Sequence, residues 1–214
     1  VLGVGGNNTL EVAETLKNQD FDGISAVLSV SPYYNKPNQK GIVQHYKYLA
    51  DASPLPIILY NVPGRTGSNV GVEATLELAE HQNILGTKEA SGNFSQCMEI
   101  IKHKPANFSV ISGDDAFTLP FISMGMDGVI SVIANAYPKE FSTLIQLALE
   151  SKFEAARELH YKLLDSMNVI FADGSPGGIK VILKALNICD TTVRMPLHDV
   201  SDNVRQQLLN AMLK

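Results

Sequence analysis

The 214-residue chain holds only two cysteines, Cys97 and Cys189, and neither has a second Cys or a His nearby at ligand spacing. Two are too few for a disulfide framework or a structural zinc motif. Both are expected as reduced, small, buried side chains. Basic runs are lacking too. Lys and Arg total 17 against 22 Asp and Glu, a net charge of -5, and no block could neutralise a phosphate backbone, which argues against a general nucleic-acid binder. No stretch approaches the ~20 consecutive apolar residues of a membrane helix. Val1-Leu2-Gly3-Val4 has neither the charged start nor the cleavage pattern of a signal peptide. The expectation is a soluble, cytoplasmic protein without a membrane or nucleic-acid partner. The five histidines, His45, His81, His103, His160 and His198, show no metal-ligand spacing, so neither a metal nor another cofactor is expected.

What the sequence does contain is repetition. Short apolar runs recur at Val1 to Val4, Ile24 to Val30, Pro56 to Tyr60, Ile84 to Lys88, Phe108 to Ser112 and Asp127 to Val132. Their continuous Val, Ile and Leu character suits strands of a parallel sheet covered on both faces. Helical stripes lie between them: Thr9, Val12, Ala13 and Leu16; Ile42, Tyr46, Leu49 and Ala50; Phe141, Leu144, Ile145 and Ala148. Six βα units follow in order, with spacings that fit right-handed crossovers. From about Ser151 the strands stop and three helices are expected, one on the stripe Phe153, Ala156, His160, Leu163 and Met167, then Gly177 to Leu186 and Asp202 to Leu213. His160 on that stripe is expected as a hydrogen-bonded core residue. The division expected is a βα region over residues 1–150 and a helical extension over 151–214.

Six such units fit an open doubly wound sheet or part of an eight-stranded barrel. The barrel is favoured because polar residues follow several different strands: Tyr33 and Tyr34, Tyr60 and Arg65, then Lys88. An open sheet gathers its ligand contacts at one switch point. Val1 already reads as strand, so about two βα units are expected to be missing before it.

Gly3-Val4-Gly5-Gly6 lacks the third glycine of a dinucleotide fingerprint, since position 8 is Asn8. Asn8 to Glu11 reads instead as a capping box. Tyr33 and Tyr34 sit in the loop Ser31 to Pro37, where they could face a pocket or simply pack. Tyr60 ends a strand, and Arg65 follows in a turn set by Pro63, Gly64 and Gly67; the phenol can relay protons and the guanidinium can fork a carboxylate. Lys88 shares a strand face with Gly86, which would leave room for it. A desolvated lysine is a usable amine nucleophile; the competing reading pairs Lys88 with Glu89 or another carboxylate. Asp114 reads as a helix N-cap rather than half of a metal site.

The segments SPYYNKP, YNVPGRTG, GTKEASGN and SGDDA, in this order on successive strand ends, closely resemble dihydrodipicolinate synthase. The resemblance runs through the whole chain, while the family's front end, with its Thr-Thr motif, has no counterpart here. It implies an α/β (β/α)8 TIM barrel, with residues 1–150 as strands three to eight and 151–214 as a C-terminal three-helix extension. It also implies a homotetramer built from tight dimers, and condensation of pyruvate with L-aspartate 4-semialdehyde on the diaminopimelate route to lysine. Carried over residue by residue, Lys88 is the Schiff-base lysine, Tyr60 the proton-relay phenol and Tyr34 a relay residue at the tight dimer interface. Arg65 receives the aldehyde's carboxylate and Ile130 also binds substrate. Asn7, Glu11 and Tyr33 match positions where lysine binds as a feedback inhibitor in many relatives. Another pyruvate aldolase, of the N-acetylneuraminate lyase type, is the main alternative, although such enzymes typically lack the Arg of GRTG. A non-catalytic barrel would not need a buried amine beside a phenol, and a nucleotide-binding sheet should show a complete phosphate fingerprint. Gly174-Ser175-Pro176-Gly177-Gly178 departs from the family's usual Asn-Pro-Ile-Pro and is read as a local backbone variant.

Overall fold

The computed structural model of the protein describes residues 1–213. Each apolar run forms a strand, usually shorter than the run: β1 (Leu2–Gly3), β2 (Val27–Val30), β3 (Ile57–Asn61), β4 (Ile84–Glu89), β5 (Ser109–Ser112) and β6 (Gly128–Val129). All pairings are parallel, and the spatial order is the chain order, β1-β2-β3-β4-β5-β6. That order decides between the two architectures, because a doubly wound sheet must reverse direction at a switch point and this one never does.

The chain clusters into two compact units, residues 1–113 with 124–129, and residues 114–123 with 130–213. The first carries all six strands with the crossover helices α1 (Thr9–Asn18), α2 (Gln39–Ala52), α3 (Pro63–Thr66), α4 (Val72–Ala79) and α5 (Phe94–His103). Sequence stripes set which faces turn inward: Val12, Ala13 and Leu16 on α1, and Ile42, Tyr46, Leu49 and Ala50 on α2 are all buried. Asn8 caps α1, its Oδ1 accepting from the Leu10 N–H at 3.1 Å. Glu11 does reach back, but to the Asn8 side-chain amide at 2.9 Å instead of the backbone. The two faces of the sheet differ. Residues pointing at the helices, such as Val27, Leu59, Asn61, Thr87 and Glu89, are fully buried, whereas Leu28, Val30, Tyr60, Lys88 and Ile111 on the other face are half-buried.

The second unit is almost wholly helical: α6 (Thr118–Ser123), a 3-10 turn (Ile133–Asn135), α7 (Pro138–Leu149), α8 (Phe153–Val169), α9 (Gly177–Ala185) and α10 (Asp202–Ala211). Ile122, Ala148 and Ala156 pack α6, α7 and α8 together. The variant glycine segment has a packing reason, since a Cβ on Gly178 would lie 2.1 Å from the Ile170 carbonyl oxygen; only glycine lets α9 start against the end of α8. The two cysteines part ways: Cys97 is buried in α5, but Cys189 is exposed, because it lies in the irregular stretch between α9 and α10. His160 is buried as expected, yet its Nδ1 has no hydrogen-bond partner among the described residues. No helix among the described residues is long and apolar enough to cross a membrane.

Candidate active site

The site in the first unit is built at the C-terminal ends of β3 and β4. Their register places Tyr60 opposite Lys88 and Asn61 opposite Glu89. In a parallel pair, opposed residues project to the same side and the next pair to the other. Tyr60 and Lys88 therefore share the half-buried face, where Lys88 Nζ lies 4.3 Å from the centre of the Tyr60 ring. An aromatic face attracts a cation there by ~0.5–2 kcal/mol, a preference that serves a protonated imine as well as an ammonium. Burial pushes the Tyr60 phenol above its ordinary value, and the nearby Arg65 charge pulls it partway back. The phenol is thus kept as a proton donor.

Two glycines shape the amine's surroundings, and their roles differ from the sequence expectation. A Cβ on Gly86 would meet the backbone oxygen of Ser109 at 2.4 Å, so Gly86 permits close approach of β5 rather than making room for Lys88. Gly113, just past β5, is the one beside the amine: a Cβ there would stand 3.0 Å from Lys88 Cε and 2.7 Å from Ala90 Cβ. The pairing of Lys88 with Glu89 is also not observed. Glu89 projects to the helix-covered face and is 1 % exposed, as the two-residue period of a strand requires.

Arg65 lies on the single helical turn α3, which Pro63 opens and Gly67 closes at φ 78°, the Gly67 N–H donating to Pro63 O at 2.9 Å. Arg65 is exposed. The β2–α2 loop is tied to this turn, because Tyr34 N–H donates to Thr66 O at 3.3 Å. Tyr34 has a left-handed backbone, φ 73°, and the residue is 88 % exposed. Its phenol makes no hydrogen bond among the described residues. Lys88, Tyr60 and Arg65 are thus brought together, while Tyr34 presents its ring outward from the neighbouring loop.

The other expected positions fall at two further places. Asn7 Nδ2 donates to the Tyr33 carbonyl at 3.1 Å, and Asn35 Nδ2 donates to the Asn7 carbonyl at 3.0 Å. Glu11 stands nearby in sequence, on the first turn of α1, engaged by Asn8. Ile130, in the second unit, follows β6 and is half-buried. The turn after it is fixed by Asp115, whose Oδ2 accepts from the N–H groups of Val132 and Ile133 at 3.0 and 2.7 Å. Burial raises the Asp115 carboxyl against those bonds. Asp114 accepts from Phe117 N–H at 3.2 Å within the turn that leads into α6, three residues ahead of the helix's N-terminal flank and not at the N-cap itself.

Sequence reasoning missed Asp115, the buried group Asn61, Glu89 and Gln96, and the half-buried Asn69 bonded to it. Adjacency was the available signal for two of these: a residue next to a reactive strand residue faces the opposite layer, so a polar side chain at 61 or 89 has to be buried among partners.

The dihydrodipicolinate synthetase family pattern matches residues 1–214. A 4-hydroxy-tetrahydrodipicolinate synthase of Flavobacterium psychrophilum is 54 % identical over 209 residues, covering 97 % of this chain and 71 % of the relative. The dihydrodipicolinate synthase of Cyanidioschyzon merolae, solved with lysine bound, superposes with a TM-score of 0.93 at 38 % identity, covering 98 % of this chain and 72 % of that one. The chloride-inhibited enzyme of Acinetobacter baumannii, solved with pyruvate, gives 0.93 at 39 % identity over the same shares, 98 % and 72 %. Together with the sequential parallel strands, these likenesses make the sheet part of a (β/α)8 barrel. By sequence and by fold alike, the chain belongs to the dihydrodipicolinate synthetase family.

Proposed function

We propose that the chain catalyses the condensation of pyruvate with L-aspartate 4-semialdehyde to hydroxy-tetrahydrodipicolinate, through an imine on Lys88. The observation that carries the mechanism is the Lys88 Nζ held over the Tyr60 ring at 4.3 Å. The neutral amine adds to the pyruvate ketone carbon, and loss of water gives a protonated imine. That cation is an electron sink, so a proton leaves the methyl carbon and an enamine forms. The enamine carbon bonds to the aldehyde carbon while the aldehyde oxygen takes a proton, for which the protonated Tyr60 phenol is the near donor. The amino group of the aldehyde substrate then adds to the imine carbon and expels Lys88, closing the ring. Arg65 offers a planar fork to the aldehyde substrate's carboxylate, and Ile130 is read as a further substrate contact from the motif resemblance. Tyr34, exposed and with no internal bond to its phenol, fits a relay role at a contact with a second subunit, within a homotetramer of tight dimers in the cytoplasm.

The same family framework suggests lysine as a feedback inhibitor, held by Asn7, Glu11 and Tyr33. Glu11 would take the cationic end of that ligand.

The test supplies pyruvate with either L-aspartate 4-semialdehyde or N-acetylmannosamine and follows product by mass. Turnover of the first alone supports this reading; turnover of the second alone would replace it with the sugar-acid aldolase reaction.

A further inference from the structure

On the helix side of the sheet, directly behind Tyr60 and Lys88, lies a buried polar group that the reaction does not touch. Glu89 Oε1 accepts from Asn61 Nδ2 at 3.1 Å and from the Ser91 N–H at 2.8 Å. Its Oε2 accepts from Asn61 Nδ2 at 3.0 Å and from Gln96 Nε2 at 3.1 Å. Every bond is donated to Glu89, the pattern of an ionised carboxylate. All four of these hydrogen bonds come from neutral donors. Asn61 in turn accepts from Val70 N–H at 3.0 Å and donates to Asn69 Oδ1 at 2.8 Å. Asn69 Nδ2 donates to Gln96 Oε1 at 2.7 Å.

A buried carboxylate with only neutral donors is costly, and an apolar pair would fill the same space more cheaply. What the carboxylate provides is geometry: its two oxygens collect donors from β3, from the turn after β4 and from α5. Since Tyr60 and Lys88 precede Asn61 and Glu89 on the same two strands, the clip fixes the ends of those strands relative to one another. We infer that Glu89 and Asn61 are a positioning pair for the reaction, holding β3 and β4 in the alignment that places the Lys88 amine against the Tyr60 phenol. The inference rests on the reading of Lys88 as the imine-forming lysine.

The test is the rate of borohydride-trapped imine formation with pyruvate, normalised to the sites trapped at saturation, in the wild type, Glu89→Gln, Asn61→Asp and the double variant. Glu89→Gln sets an amide N–H₂ against the Asn61 or Gln96 amide, and Asn61→Asp sets carboxylate against carboxylate. Each should slow trapping by about tenfold or more, an ångström-scale displacement being able to cost about a hundredfold. In the double variant the amide introduced at position 89 can donate to the carboxylate introduced at position 61, while the amide oxygen still accepts from Ser91, so part of the rate should return. A network with only a structural role would lower the melting temperature but leave the rate per trapped site unchanged, and would show no rescue. Wild-type rates in folded single variants overturn the inference, as does a double variant no faster than the slower single one. If neither single variant folds, Asn61→Ser, which leaves Glu89 bonded to Ser91 and Gln96, carries the test, and a wild-type rate there overturns it. Absence of trapping in the wild type would remove the imine reading and this inference together; unchanged variant rates beside normal wild-type trapping remove this inference alone.

Discussion

Tyr60 and Lys88 occupy paired positions on adjacent parallel strands, and the lysine Nζ rests 4.3 Å from the centre of the tyrosine ring. Register brings the phenol and the amine together, since opposed residues in a parallel pair necessarily share a face. The ring beneath the amine favours positive charge, and burial keeps the phenol protonated past its ordinary value. The first serves the protonated imine once it has formed, at the expense of the neutral amine that must add first, and the second serves proton transfer.

Gly113→Ala tests how tightly the amine is placed. The new methyl group would press on Lys88 Cε and on Ala90 Cβ, one the shaft of the amine and the other a short, rigid neighbour. Imine formation should fall by roughly tenfold to a hundredfold, while pyruvate concentration dependence changes less. The check is stopped-flow or quench trapping beside a thermal melt; an unimpaired rate would show that Lys88 is not confined by that wall.

Arg65→Ala separates the two substrates. The guanidinium of the exposed Arg65 on α3 should matter to the carboxylate-bearing aldehyde and not to pyruvate. The KM for the aldehyde should rise by roughly tenfold to a hundredfold, the equivalent of ~1.5–3 kcal/mol for a bond to a charged group. Imine trapping with pyruvate alone should proceed at the wild-type rate, and a matching loss in that assay would move Arg65 to the first half-reaction.

Much of this was legible beforehand, and the reasons differ by residue. The strands and stripes were readable because Val, Ile and Leu runs and the spacing of residues such as Val12, Ala13 and Leu16 report burial directly. The motif residues Tyr60, Arg65 and Lys88 were readable as strand-end chemistry. Register between strands was not, since no local pattern tells which residue of β3 opposes Lys88. Gly113 could not be assigned to the amine for the same reason, being 25 positions from Lys88 in the chain but beside it across β4 and β5. Nor could Glu89 be placed while Lys88 was a candidate partner; only the strand's two-residue period, applied to both, separates them.

Acid stability should carry the signature of His45. Its Nδ1 shares a hydrogen bond with Thr9 Oγ1 at 2.9 Å, while Nε2 is buried without a hydrogen-bond partner among the described residues. Burial lowers this imidazole from 6.5 to about 4. Between those values the unfolded chain binds a proton that the folded one refuses, so stability present above pH 6.5 is lost as the pH falls toward 4. The loss is on the order of 3 kcal/mol at most. His45→Gln, which keeps a partner for Thr9 but does not titrate, should flatten urea midpoints across this range; an unchanged slope would assign the acid sensitivity elsewhere.

Glu11→Gln addresses inhibition by lysine. Gln can still meet the Asn8 side chain, so the stability from the cap on α1 should hold within about a few tenths of a kcal/mol and the melting temperature should stay nearly unchanged. If Glu11 takes the ammonium of the ligand, half-inhibition should require roughly tenfold more lysine. Undiminished inhibition would leave Glu11 with only its bond to Asn8.

The most direct measurement is reduction of the purified protein with borohydride in the presence of pyruvate, followed by intact mass and peptide mapping. One pyruvate-derived addition per chain, located at Lys88 and absent from Lys88→Ala, is the predicted result. An addition at any other lysine, or none at all, would contradict the assignment of Lys88 on which the mechanism stands.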